Sequence, residues 1–74
     1  MTRLPTLSAR KIIQSLEQAG FVADGHKGSH FFLWHPIKHL TTAVPKHSKD
    51  VKRNLMKLIL KQAGLTEEEF RKLL

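Results

Sequence analysis

The feature that most constrains the fold is a change in the spacing of apolar residues along the chain. Near both ends they recur every three or four residues, which is typical of amphipathic helices. Between about residues 21 and 45 they form short runs, rich in aromatic and β-branched residues and interrupted by glycine and proline, which favours strands. The pattern predicts a helix, three strands and a second helix.

The first helix is predicted to run from a cap at Ser8 to about Ala19. The Ser8 side chain can accept one of the free N–H groups of the first turn, and Gly20 suits the left-handed position after the last turn. One apolar stripe is expected at Ile12, Ile13, Leu16 and Ala19.

Three short strands are predicted over residues 21–23, 30–35 and 41–44, with a turn over 25–29 after the first. A proline follows each of the last two strands and stops it. Strands this close together in sequence pair antiparallel, as a meander.

The second helix is predicted over residues 49–63, with Gly64 at its end. Thr66 followed by Glu69 forms a capping box for a short last helix. The buried face of the second helix is expected at Val51, Leu55, Leu58, Ile59 and Gln62, widened by Met56, Leu60 and Ala63.

Two amphipathic helices and one small sheet bury their apolar surfaces best when both helices cover the same sheet face. We therefore predict a single α+β domain over residues 1–74, with the α-β-β-β-α topology of double-stranded-RNA-binding domains. The chain has no cysteine, which suits the cytoplasm, and it shows neither a signal peptide nor a stretch long enough to cross a membrane.

Charge points to the class of partner. Thirteen Lys and Arg residues against six Asp and Glu give a net charge of +7. Such a surface attracts nucleic acid first, or an acidic protein, although a soluble basic protein without a polyanionic ligand has the same composition.

The predicted second strand has two faces. Alternation places His30, Phe32 and Trp34 on one face and Phe31, Leu33 and His35 on the other. If the helices cover the second set, the first set faces outward and suits stacking or a protein interface. The opposite assignment stays open, because both sets are apolar.

A basic ridge is predicted on the second helix, where cationic residues recur at every fourth position and fit a phosphate backbone or a plain solvated face. Its members are Lys49, Arg53, Lys57 and Lys61, with Lys46 and Lys52 nearby. The histidine pairs 26/30 and 35/39 are four residues apart on strand or turn, a spacing that does not bring them together there. We expect neither a metal nor a cofactor, and no G-x-S-x-G hydrolase motif is present.

A single histidine suffices to cleave RNA, because RNA carries its own nucleophile, the 2′-hydroxyl. His30 is the candidate base. The electrostatic stabilisation would come from Lys27, the Gly28 backbone, the Ser29 hydroxyl, and Lys46 or His47.

Four segments in order resemble the HicA family of bacterial toxins. They are AGF at 19–21, KGSH at 27–30, TTAVPKH at 41–47 and ILKQAGLTEEEF at 59–70. The resemblance implies a double-stranded-RNA-binding-domain-like fold and mRNA interferase activity. It also implies that the Gly-Ser-His histidine, His30 here, is catalytic.

The resemblance further implies a HicB-like antitoxin that covers His30, with Phe32 and Trp34 expected in the contact. One departure is the triplet Arg53-Asn54-Leu55, where many members have Gly-Thr-Leu. The main alternative is a non-catalytic RNA-binding module of the same fold, and a third is a structural partner of another protein. Only His30 separates the first two.

Overall fold

The computed structural model describes residues 6–74 and contains three helices and three strands. The helices are α1 (Ala9–Gln18), α2 (Arg53–Ala63) and α3 (Glu67–Arg71), and the strands are β1 (Val22–Lys27), β2 (His30–His35) and β3 (Leu40–Pro45). This order confirms the predicted helix, three strands, helix, and the short last helix. No described helix is long and apolar enough to cross a membrane.

The caps predicted for α1 and α3 are present. Ser8 Oγ accepts a hydrogen bond from the Lys11 N–H at 3.2 Å, and Gly20 follows the helix with a left-handed φ of 102°. Thr66 and Glu69 form the reciprocal capping box of α3. The ends of these helices were therefore readable from the sequence.

The three strands form one antiparallel sheet in the order β1-β2-β3. β2 has the predicted limits, whereas β1 is longer than predicted and continues to Lys27. It does so through a bulge, in which the pairing shifts between Ala23 and His26. Gly25 has a φ of 84° there, which glycine adopts readily. The turn is thus reduced to Gly28 and Ser29.

Both helices cover the same face of the sheet. The buried residues of β2 and β3, Leu33, His35, Thr42 and Val44, all point to that face. They pack with side chains of the helices, chiefly Ile12, Leu16, Met56, Ile59 and Phe70. The expected α+β arrangement with a three-stranded antiparallel sheet is confirmed.

The second helix begins four residues later than predicted, so Lys49 does not lie on it. Two backbone hydrogen bonds hold the preceding segment extended against the start of α1. Ala9 N–H donates to the Ser48 carbonyl at 2.9 Å, and Val51 N–H donates to the Leu7 carbonyl at 2.8 Å. These bonds fix the extended conformation of the segment before α2, which continues to Lys52 with a ψ of 151°.

The predicted buried face of α2 was partly wrong. Leu58 is 49% exposed and Leu55 is 37% exposed. The helix instead buries Met56, Ile59, Leu60 and Ala63, which follow the i, i+3, i+4, i+7 pattern. Apolar residues cover more than half of the circumference of this helix, so the packing against β3 decides which of them are covered.

Candidate active site

His30 is the first residue of β2 and is exposed to solvent. It lies on the sheet face that points away from the helices, which we call the outer face. Strand pairing assigns Val22, His30, Phe32, Trp34, Thr41 and Ala43 to the outer face. The predicted outward orientation of His30, Phe32 and Trp34 is confirmed.

Cationic and backbone groups surround His30 at this end of the sheet. Lys27 is its pairing partner on β1, across the two-residue turn in which Gly28 has a φ of 61°. Lys46 N–H donates to the Ser29 carbonyl at 2.6 Å, so the residue after β3 is fixed beside the turn. The fold thus brings Lys27, Gly28, Ser29 and Lys46 together next to His30.

The other predicted cations lie at increasing distance along the chain from this point. His47 and Lys49 are exposed in the non-helical segment after β3. α2 then runs antiparallel to β3, since Thr42 Oγ1 donates to the Ile59 carbonyl at 3.3 Å and Gly64 lies against Leu40.

This direction places the start of α2, with Arg53, near the His30 end of the sheet. Lys57 is exposed one turn further along, so it does not join the group beside His30. Of the predicted ridge, only Arg53, Lys57 and Lys61 remain on one helix.

The outer face continues from His30 as an aromatic strip, Phe32 and Trp34. Both side chains are half-buried between the neighbouring strands. The Trp34 indole meets the His39 imidazole edge to face, with ring centroids 6.0 Å apart and planes at 64°. His39 closes the β2–β3 turn with a φ of 56°, uncommon for a residue other than glycine.

The positions of two residues in this region were not predicted from the sequence. His39 joins the outer face only because the turn folds it back onto Trp34. Asp24 lies in the β1 bulge, in the stretch of β1 opposite Phe32. A turn residue that must adopt a positive φ is recognisable when it is Gly or Asn, but not when it is histidine.

The histidine pairs do not form metal sites. His26 pairs with Phe31 and so points to the opposite sheet face from His30. His35 is buried and its ring nitrogens contact backbone groups. Within residues 6–74 no three His, Cys, Asp or Glu side chains come close enough to hold a metal ion.

Fold and surface together define a small basic α+β protein that presents a histidine on an open sheet face beside a Gly-Ser turn. A family model described as the HicA toxin of bacterial toxin-antitoxin matches residues 9–65, from the start of α1 to just beyond α2. The chain therefore belongs to the HicA toxin family, and its role is that of a toxin with a cognate antitoxin partner. Comparison with curated proteins gives no match.

Proposed function

We propose that this toxin is an endoribonuclease that cleaves mRNA without a metal ion and uses His30 as the general base. The observation that carries the proposal is the exposed His30 imidazole with Lys27 opposite it and Lys46 held at the adjacent turn. An imidazole is an effective base near neutral pH, and flanking ammonium groups favour the approach of phosphate.

The reaction follows from these groups. His30 takes the proton of a ribose 2′-hydroxyl, the 2′-oxygen forms a bond to the neighbouring phosphorus, and the bond from phosphorus to the 5′-oxygen breaks. The leaving oxygen takes a proton from water, and the hydroxide so formed takes the proton back from His30. The products are a 2′,3′-cyclic phosphate and a 5′-hydroxyl. Lys27, Lys46 and the Gly28–Ser29 backbone stabilise the negative charge that develops on the phosphorane.

The remaining cations bind the RNA backbone away from the cleaved bond. His47 and Lys49 continue from Lys46 along the exposed segment, and Arg53 and Lys57 extend this path onto α2. Contacts of this kind add affinity without sequence preference and weaken as salt is added.

A HicB-like antitoxin would inhibit the toxin by covering the outer face. Phe32 and Trp34 give this face an apolar centre next to His30, which is the composition expected of a protein contact. Phe32→Ser combined with Trp34→Ser should weaken co-purification with the antitoxin. Leu58→Ser, at an exposed leucine on α2, is the matched control and should leave it intact.

The test of the catalytic proposal compares His30→Ala with His26→Ala. Both residues are exposed histidines of adjacent strands, but they point to opposite faces of the sheet. We expect His30→Ala to lose RNA cleavage and growth arrest, and His26→Ala to keep both. Wild-type products should carry cyclic phosphate ends, and EDTA should not change the rate.

Unchanged cleavage by His30→Ala would remove this histidine from the mechanism. RNA binding by the wild type with no cleavage, and with no growth arrest on expression, would instead support the non-catalytic RNA-binding module.

A further inference from the structure

The geometry points to a binding site for two unstacked bases of single-stranded RNA along β2, at Phe32 and at the Trp34–His39 pair. This inference rests on the proposed function, because it places the substrate of that reaction. It assigns a binding role to residues on the sheet face, away from the basic ridge.

The spacing of the outer-face side chains along β2 requires an extended RNA strand. His30, Phe32 and Trp34 occupy alternate positions on one face, so neighbouring members are about 6.6 Å apart along the strand. Neighbouring stacked nucleotides of a DNA duplex strand are only about 3.4 Å apart along the axis. A strand that places successive bases on Phe32 and Trp34 must therefore be extended and unstacked. Duplex RNA does not meet this requirement.

The side chains of the outer face favour stacking with bases. The β3 residues that flank the two aromatic side chains are small, with Ala43 paired to Phe32 and Thr41 paired to Trp34. No bulky side chain of β3 therefore stands over these rings. An aromatic surface open on one side accepts any base by stacking, with little sequence preference.

His39 gives the far end of the strip a defined shape. Its left-handed backbone and the hydrogen bond from its N–H to the His35 carbonyl, 2.8 Å, bring the imidazole against Trp34, with the two ring planes at 64°. The second base would stack on the indole with the imidazole beside it as a hydrogen-bonding group. Asp24, in the β1 stretch opposite Phe32, would accept a hydrogen bond from an amino group of the first base.

The charges along the outer face decide where the phosphates and the bases of the bound strand lie. Lys27 and Lys46 flank His30, whereas the acidic residue Asp24 lies in the stretch of β1 opposite Phe32. The scissile phosphate therefore belongs at the His30 end, and bases, not phosphates, belong over the aromatic strip. The two stacked bases would be the first and second nucleotides on one side of the cleaved bond.

Trp34 is the only tryptophan of the chain, so its fluorescence reports this site directly. The ligand is a 2′-O-methyl oligonucleotide, which has no free 2′-hydroxyl and is not cleaved, so binding is measured whether or not the protein is a nuclease. We expect quenching by single-stranded oligonucleotides of four or more nucleotides, and none by a duplex of the same sequence at equal concentration.

Variants test the individual contacts through binding of a fluorescently labelled oligonucleotide. Trp34→Ala should weaken binding about 5- to 150-fold, the effect of losing one base–aromatic stack, whereas Trp34→Phe should restore most of it. His39→Gly, which keeps the positive φ accessible, should weaken binding less. Ile37→Ala, at an 83% exposed residue of the same turn, is the control and should have no effect.

Equal quenching by duplex and single strand, or unchanged binding by a folded Trp34→Ala, would overturn the inference. Trp34→Ala that loses the antitoxin but keeps RNA would make the strip a protein contact only, which also overturns it. None of these results bears on the catalytic role proposed for His30, because that role is judged by His30→Ala cleavage.

Discussion

His30 and His35 lie at opposite ends of β2 and on opposite faces of the sheet. His30 is exposed, whereas His35 is only 6% exposed and packs edge to face on Phe21, with ring centroids 5.1 Å apart. The same type of side chain thus occupies two different environments in one strand. One ring is open to a ligand, and the other is part of the structure.

The hydrogen bonds of His35 define its tautomer. Its Nδ1 accepts from the N–H groups of Ile37 and Lys38, at 3.2 and 3.1 Å. Nδ1 therefore carries no proton, and Nε2 carries the proton that it donates to the Ala19 carbonyl at 3.2 Å. One side chain thereby ties the β2–β3 turn to the end of α1.

We predict that His35→Ala destabilises the protein by about 3 kcal/mol, since it leaves three backbone groups without this partner and opens a cavity against Phe21. His30→Ala, the same substitution on the same strand, should change the free energy of unfolding by less than about 0.5 kcal/mol. Urea unfolding of both variants measures the difference. Equal stabilities would contradict a structural role for His35.

Gly20 makes the close packing of His35 possible. A Cβ at this position would lie 2.8 Å from His35 Nε2, and the φ of 102° is already unfavourable for other residues. Gly20→Ala should therefore cost more than Gly25→Ala, whose φ of 84° is similar but which has open space around it. We expect a further loss of about 1 to 3 kcal/mol at Gly20, measured by thermal unfolding. A smaller loss of stability for Gly20→Ala than for Gly25→Ala would show that the His35 ring moves to make room for the new methyl group.

The capping box of α3 gives a pH-dependent contribution to stability. Hydrogen bonds from Thr66, chiefly its backbone N–H at 2.9 Å, lower the pKa of the Glu69 carboxyl below its usual range. A carboxyl with a lowered pKa in the folded state stabilises the fold above the unfolded pKa. That contribution is lost as the pH falls through the folded pKa.

The side chain of Glu69→Gln cannot ionise, but it keeps an oxygen that can accept a hydrogen bond from the Thr66 N–H. The stability difference between wild type and this variant should therefore shrink between about pH 6 and about pH 3. Unfolding midpoints at both pH values measure it. A difference that stays constant with pH would show that the charge of Glu69 is not involved.

The strand that carries the site was predictable because its limits are set locally. A Gly-Ser turn starts β2 and Pro36 follows it, and its alternation gave two possible faces. Only the packing of the helices, which bury Leu33 and Val44, decided that His30 faces outward.

The predictions from sequence were wrong where contacts between distant parts of the chain override the local conformational preference. Lys52, the residue before α2, makes no side-chain capping hydrogen bond, so no local signal marks the true start of this helix. The pairing of Leu7 with Val51 sets it instead. Likewise the bulge that lengthens β1 arises from pairing with β2, and the position of His39 arises from a turn with a positive φ that its sequence does not signal.

The lysines beside His30 should affect the rate of cleavage, whereas a lysine on α2 should affect RNA affinity. In the proposed mechanism Lys27 and Lys46 stabilise the transition state, so Lys27→Ala and Lys46→Ala should each lower kcat for RNA cleavage by roughly 100-fold. Lys57→Ala should leave kcat unchanged. It should weaken RNA binding and reduce the slope of log affinity against log salt by about 0.7, the value for one lost contact to single-stranded RNA.

Lys72→Ala removes the same charge after α3, close to Glu69, and is the matched control for both effects. Single-turnover cleavage and salt titration of the four variants separate rate from affinity. If all four reduce cleavage equally, the toxin responds only to its total charge. The arrangement of lysines around His30 would then have no part in the chemistry.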